Sequence, residues 1–347
     1  MDETKKRRIL ITGVSHFLGL RLAKRLEDDP NVEYLVGVDQ TEPPIPIKNL
    51  EFVKADISSP LIARVLSATA VDTLVHTNIS SRPGRLGGRP QMKENNVMGT
   101  LRLLAAAQRS DAITKCVMKS STAVYGSSAD EPSILSENHA ARQVDLQGYG
   151  KDCAEAETYA RDFGRRRQDV ELTILRTQNV VGPTARTNLT QYLSLPIVPS
   201  ALGFDPRLQL LHEEDAVEAL YQATFEECPG IYNVAADGIV YLSKAIRLLG
   251  RVQLPLLLPV AQGTATILRS LGLVDFPIDQ LRLILYGRVV HTARAKSAFG
   301  FMPRFTTEAA LRDFAQLEDE GVPEGRPSWE RELYDFIAGE TAESEKV

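Results

Sequence analysis

ITGVSHFLGLRLAKRL, residues 11–26, is entered through the apolar pair Ile9-Leu10 and changes its period within a few positions. The run Arg8 to Ile11 reads as a short buried strand, and LRLAKRL, residues 20–26, has helical spacing. Gly13 permits a tight turn between the two, and Gly19 lets the helix and strand pack closely. The amides that open such a helix, here those of His16, Phe17, Leu18 and Gly19, present partial positive charge to an anion such as a pyrophosphate. One residue departs from the pattern, because a phosphate-cradling turn wants a glycine where His16 stands. Three outcomes are open: the imidazole turns outward, it fills phosphate space, or it contacts the phosphate through a ring nitrogen.

Working outward, strands are expected at Tyr34 to Val38, Glu51 to Val53, Thr73 to His76, Cys116 to Lys119 and Leu172 to Leu175. Helical patterns lie between them in PLIARVLSA and NVMGTLRLLAAAQRS, where Val97, Leu101 and Leu104 share a face. This alternation predicts an α/β fold, a Rossmann-type doubly wound parallel sheet over residues 1–182. Residues 183–347 are expected to form a smaller, interleaved α/β substrate domain. It holds the helix EEDAVEALYQATFEE, the strand GIYNVA, the helix LSKAIRLLG and a charged tail with a short helix near Trp329 to Ile337. The most apolar segment, LPLLLPVAQGTATILRSLGL, is broken by two prolines and a glycine and is read as a buried or interface segment.

With 347 residues the chain can bury a large core. Its net charge of −5 points away from nucleic acid and anionic membranes. The opening MDETKKRR precedes an apolar segment too short for a signal peptide, and no unbroken run of about 18 apolar residues occurs, so the expectation is a cytoplasmic protein without a membrane span. Three widely spaced cysteines and five scattered histidines argue against a disulfide framework and against a metal site.

Further motifs recur in order: Asp39 closing the second strand, Asp56 in KADI, LVHTN on the fourth strand, NNVMGT, SSTAVYG, YGKD and LRTQNVVGP. Together with ITGVSHFLG they resemble the extended short-chain dehydrogenase/reductases, in particular the NAD-dependent epimerase/dehydratase branch that includes nucleotide-sugar 4-epimerases. LHEEDAVEA and AFGFMPRFTTEAAL are similar to later signatures of that family. The resemblance implies a bound NAD. A carboxylate at Asp39 accepts both ribose hydroxyls and repels a 2′-phosphate, which disfavours NADP. Asp56 and Ile57 match the adenine-edge contact, and Asn96 the family's helix-opening Asn; Thr77 and Asn78 put polar side chains near the cofactor where the family has alanines.

The family couples a tyrosine to a lysine four residues later on one helix, with a Ser or Thr from the fifth strand. The matching hydroxyl is Ser121 and the matching phenol Tyr149, followed by Glu157, but the lysine position holds Cys153. Lys151 is about 200° around the helix and does not substitute. Without a cation beside it, Tyr149 is expected to keep a phenol of ordinary acidity. Cys153 is either a replacement nucleophile or base, or a packed thiol. Substrate-side candidates are Asn179, Arg207 and Arg288, and the loop of residues 79–90 carries Arg82, Arg85 and Arg89, read as a phosphate clamp or a solvated loop. The reading is an oxidoreductase acting on a small-molecule substrate of nucleotide-sugar type. Two alternatives stand beside it: a catalytically impaired NAD-binding scaffold or sensor, and a reductase of a non-sugar ketone. The resemblance also implies a homodimer through helices starting near Asn96 and Tyr149.

Overall fold

Apolar side chains on both faces of a strand force it to the middle of a layered structure, and β1 (Arg7–Thr12) shows this with Ile9, Leu10 and Ile11 fully buried. The computed structural model of the protein describes residues 6–81, 88–139, 146, 148–257, 278–320 and 327–344. In it β1 leads through the Gly13 turn into α1 (Phe17–Leu26), and the chain continues through β2 (Val32–Asp39), β3 (Leu50–Lys54), α2 (Leu61–Thr69) and β4 (Thr73–His76). Next come α3 (Gly88–Lys93), a π-helical turn (Glu94–Gly99), α4 (Thr100–Ala107), β5 (Lys115–Ser121), α5 (Gly148–Arg166) and β6 (Glu171–Thr177).

The central sheet has seven strands, all paired in parallel, and β1 lies between β2 and β4. The chain therefore winds outward from β1 in both directions, which opens a crevice at the carboxyl ends of β1 and β4. Cys116 and Met118 of β5 pack in one buried layer with Cys153, Ala156 and Ala160 of α5, while Val117 packs in the opposite layer with Val75 and Leu175. The helix pattern around Asn96 is modified by the π turn, so that Leu103 and Thr100 are buried and Leu101 is only half covered.

After β6 the chain runs through β7 (Val180–Val181), α6 (Asn188–Leu193), β8 (Ile197–Ala201), β9 (Arg207–Leu208), β10 (Leu211–His212), α7 (Glu213–Phe225), β11 (Gly230–Val234), β12 (Val240–Tyr241), α8 (Leu242–Leu248) and β13 (Val252–Leu256). One placement differs from the sequence reading. GIYNVA does not sit in the C-terminal part: β11 pairs in parallel with β6 as the edge of the main sheet, from Gly230 opposite Thr173 to Val234 opposite Thr177. Its buried Tyr232 and Val234 complete the layer that covers β1. The two parts of the chain thus share one sheet, while β7–β10, β8–β13 and β9–β12 form two-stranded pairs. These pairs flank a separate core of Val198, Leu208, Ala245, Leu311 and Phe314. Of the apolar segment of residues 254–273, the first three residues end β13, and residues 258–277 lie outside the described residues. A terminal helix (Ser328–Ser344) is anchored to α1 by Glu330, which accepts from buried Arg21 at 2.7 Å.

Candidate active site

The Gly13 turn has the geometry that a nucleotide-binding crevice needs. Gly13 has φ +75°, and a Cβ there would lie 2.9 Å from the Asn78 backbone; a Cβ on Gly19 would lie 2.1 Å from the Gly13 carbonyl oxygen. Only glycine permits this approach of helix to strand. His16 caps α1 without a side-chain bond to the first-turn amides, so those amides are left to an outside acceptor. Its ring is half exposed and leans toward Asp39, with Nε2 4.0 Å from Oδ2. The imidazole therefore sits beside the carboxylate at the end of β2, half open to solvent.

Asp39 is buried, and each oxygen accepts one backbone N–H: Oδ2 from Ser15 at 3.0 Å and Oδ1 from Gln40 at 2.7 Å. A carboxylate has about four acceptor sites, so two remain for a pair of vicinal hydroxyls. Asp56 accepts from Gln40 Nε2 at 2.9 Å and from the Ser58 amide at 2.7 Å, which ties its loop to the one after Asp39. Ile57 is a core side chain, packed where a Cβ on Gly99 would otherwise be. Thr77 donates to the Thr12 carbonyl at 2.8 Å and so joins β4 to β1 across the crevice.

Asn96 does more than open a helix. It accepts from the Ser80 amide and donates to the Ser80 carbonyl, both at 2.9 Å, and donates to Asp152 Oδ2 at 3.3 Å. The loop after β4 is thereby clamped to α5. Arg89 completes that clamp with a two-pronged bond to Asp152 at 2.6 and 2.8 Å, so it faces a carboxylate of this chain; Arg82 and Arg85 lie outside the described residues.

The polar groups converge at the carboxyl end of β5. Tyr149, in the first turn of α5, is buried, and Ser121 and Cys153 lie close enough to its phenol to act on its acidity. Ser121 Oγ also accepts from the Ala123 amide at 3.1 Å. Burial, with Cys153 adding to it, holds the Tyr149 phenol well above its usual range. Cys153 is wholly enclosed, and burial pushes its thiol up to about 12, so at neutral pH it is a packed thiol, not a thiolate. Lys151 is on the exposed side of α5.

A cation nevertheless reaches the phenol. Lys119, two residues before Ser121 on the same face of β5, donates from Nζ to Tyr149 Oη at 3.1 Å and to the Ile79 carbonyl at 2.9 Å. The expectation of a tyrosine without a cationic neighbour is corrected by this contact. Its signal in the sequence was a charged residue inside VMKSS, the run of a central strand. Arg207 and Arg288 are brought side by side, with the Arg288 amide bonded to the Arg207 carbonyl. Arg288 Nε donates to the Gly126 carbonyl at 2.9 Å, and Arg207 donates to the Ser133 carbonyl at 2.9 Å. Asn179 is half-buried after β6, where its carbonyl accepts from the Leu211 amide at 3.0 Å. Among the described residues no helix is long and apolar enough to cross a membrane, and no group of three or more His, Cys, Asp and Glu side chains is placed to hold a metal.

A parallel sheet with this crevice, turn and serine–tyrosine pair defines a class, and comparison places the chain in it. Residues 9–235 match the model of the NAD dependent epimerase/dehydratase family, and the chain belongs to that family. An uncharacterized protein of Mycobacterium tuberculosis is 39% identical over 310 residues, covering 88% of this chain and 82% of that protein. The trifunctional UDP-glucose 4,6-dehydratase/UDP-4-keto-6-deoxy-D-glucose 3,5-epimerase/UDP-4-keto-L-rhamnose-reductase of Arabidopsis thaliana is 28% identical over 196 residues, 53% of this chain and 29% of that protein. Among solved structures, the UDP-glucuronic acid 4-epimerase of Bacillus cereus in complex with NAD has a TM-score of 0.67 at 16% identity, covering 89% of this chain and 97% of that one. At that identity the likeness is one of fold.

Proposed function

We propose that this chain is an NAD-dependent oxidoreductase of the epimerase/dehydratase type that acts on a hydroxyl of a nucleotide sugar. The observation that carries the reading is the meeting of Ser121 and Tyr149 at the carboxyl end of β5, in the same crevice as the Gly13 turn and the Asp39 carboxylate. Gly13, the amides of Phe17 and Leu18, and Asp39 suit the pyrophosphate and adenine-side ribose of NAD, and Thr77 and Asn96 shape the wall between β4 and α5. NAD supplies a reversible hydride acceptor. The chain supplies the proton path: in the reducing direction the Tyr149 phenol gives its proton to the carbonyl oxygen as hydride arrives, and in the oxidising direction the phenolate form takes the carbinol O–H proton on Oη, while Ser121 Oγ holds the oxygen by a hydrogen bond. Asn179, Arg207 and Arg288 are the candidates for the nucleotide-sugar end. An enclosed Cys153 thiol takes no part as nucleophile.

The test is a calorimetric titration with NAD and then NADP, on protein first checked for carried-through cofactor. NAD is expected to bind more tightly than NADP. Asp39→Asn is expected to weaken NAD about ten- to hundredfold, the worth of a charge-assisted bond to the ribose. A panel of UDP- and dTDP-hexoses with NAD then reads turnover, with Tyr149→Phe as the inactive control. Binding without turnover of any sugar would leave the non-catalytic sensor reading in place, and no binding of either dinucleotide would remove both.

A further inference from the structure

We propose that Lys119 is the positioning cation of the Tyr149 site, supplied from strand β5 instead of from the tyrosine's own helix. The inference rests on the reading of Tyr149 as the proton-carrying group and deepens it.

The geometry carries it in three steps. First, residue 153, one helical turn after Tyr149, is a buried cysteine, so α5 brings no cation there. Second, Lys119 fills that electrostatic role from the sheet: Nζ donates to Tyr149 Oη at 3.1 Å and is held in line by the Ile79 carbonyl at 2.9 Å. The pleat puts Lys119 and Ser121 on one face of the strand, so Lys119 bonds the phenolic oxygen from the same side on which Ser121 lies near it. Third, nothing else in the described residues claims this ammonium. Lys119 makes no ion pair there, and Asp152, a carboxylate whose charge acts on the phenol, is already engaged by Arg89 and Asn96. From β4 the facing group is His76, which is neutral because burial and Lys119 itself hold it near 3.

A lysine set below the surface with only neutral acceptors is costly to keep for stability alone. Burial draws the Lys119 ammonium below the usual lysine range and raises the Tyr149 phenol. A phenolate at Oη would face that ammonium at 3.1 Å, and opposite charges so close favour each other. Lys119 touches Tyr149, not the reacting carbon, and acts through it.

Two experiments on the full chain test this. Where a UDP- or dTDP-hexose is turned over, Lys119→Met is expected to lower kcat about 10²- to 10³-fold with KM changed only a few-fold, and Lys119→Arg to recover part of the loss. Cys153→Lys alone is expected to lower activity by setting a second ammonium against the first, whereas Lys119→Ser combined with Cys153→Lys restores it. Wild-type rates in Lys119→Met, or no recovery in the combined variant while its melting curve is intact, would overturn the proposal. The second experiment needs neither cofactor nor sugar. Pulsed acylation of amines across pH, read by peptide mass, is expected to place the Lys119 titration below that of the other lysines and to show it displaced in Tyr149→Phe. A Lys119 that labels like surface lysines, does not label, or ignores Tyr149→Phe overturns the proposal. Absence of turnover from every sugar, with the displaced labelling curve present, would overturn the functional reading and leave the Lys119–Tyr149 pairing standing.

Discussion

Glu157→Ala is expected to cost about 3–5 kcal/mol of folding stability, far more than a surface charge would. Glu157 and Arg176 are 1% and 5% exposed, and their carboxylate and guanidinium meet twice, at 2.6 Å (Nη2 to Oε2) and 2.9 Å (Nε to Oε1). The same carboxylate accepts from Ser120 Oγ of β5 at 2.7 Å. Arg176 Nη1 donates onward to Tyr125 Oη at 2.8 Å, and Tyr125 donates to Asn233 of β11 at 2.7 Å. Truncating Glu157 strands a buried guanidinium and cuts β5, β6 and α5 from one another at a single point. Burial works against the Arg176 charge, and its bonds to Glu157 and Tyr125 more than offset that; a guanidinium is not deprotonated in proteins, so the residue stays charged when Glu157 is lost. The paired change Glu157→Leu with Arg176→Met is expected to recover much of the loss, because no unpaired charge is left behind. Urea unfolding with the slope checked for constancy reads both. A loss under about 1 kcal/mol for Glu157→Ala would show that water reaches the pair. Tyr149 lies about two turns ahead of Glu157 on α5, so the same pair fixes the helix that carries the phenol.

How far such features can be read without coordinates depends on whether their partners are local. Thr73 to His76 was legible to the residue, because three apolar or β-favouring residues run up to the histidine, and the Gly13 turn was legible because its strand and helix are contiguous. β5 was read as ending at Lys119, since a charged residue followed by two serines resembles a strand terminus. In the fold Lys119 is an interior residue whose partner lies 30 positions away on α5, and no local periodicity reports that. The edge position of β11 was hidden for a related reason. GIYNVA shows a strand, but its pairing with β6 is settled by α7, which crosses back over the sheet. Arg89 was read within a Gly- and Pro-rich loop, whereas its charge is matched by Asp152, which a helix 63 residues later presents.

Acid is expected to destabilise the protein steeply, with His76 contributing on the order of 4 kcal/mol of that loss. His76 is fully buried at the end of β4, with Nε2 2.9 Å from Thr100 Oγ1 and Nδ1 2.7 Å from Thr12 Oγ1. The Thr100 hydroxyl gives its hydrogen to the Asn96 carbonyl at 2.6 Å, so Nε2 must be the donor toward Thr100 and Nδ1 the acceptor from Thr12. That tautomer is neutral, and a second ring proton would meet a hydroxyl already pointing its hydrogen at the nitrogen. Burial, and then the Lys119 charge, lower the imidazole from 6.5 to about 3. The sign follows directly. As pH falls below about 6.5 the unfolded chain takes up a proton at this residue and the folded chain does not, so stability is present in full above about 6.5 and is lost progressively toward about 3. Glu213, raised by burial, works in the opposite direction, so the contribution is read as a difference between proteins. Urea midpoints followed from about pH 7.5 to about pH 4 should fall more shallowly in His76→Asn than in wild type. Parallel curves would mean that the folded protein protonates His76 freely. Then two cations would stand side by side at the base of the site, and Lys119 could not be the charge that Tyr149 faces.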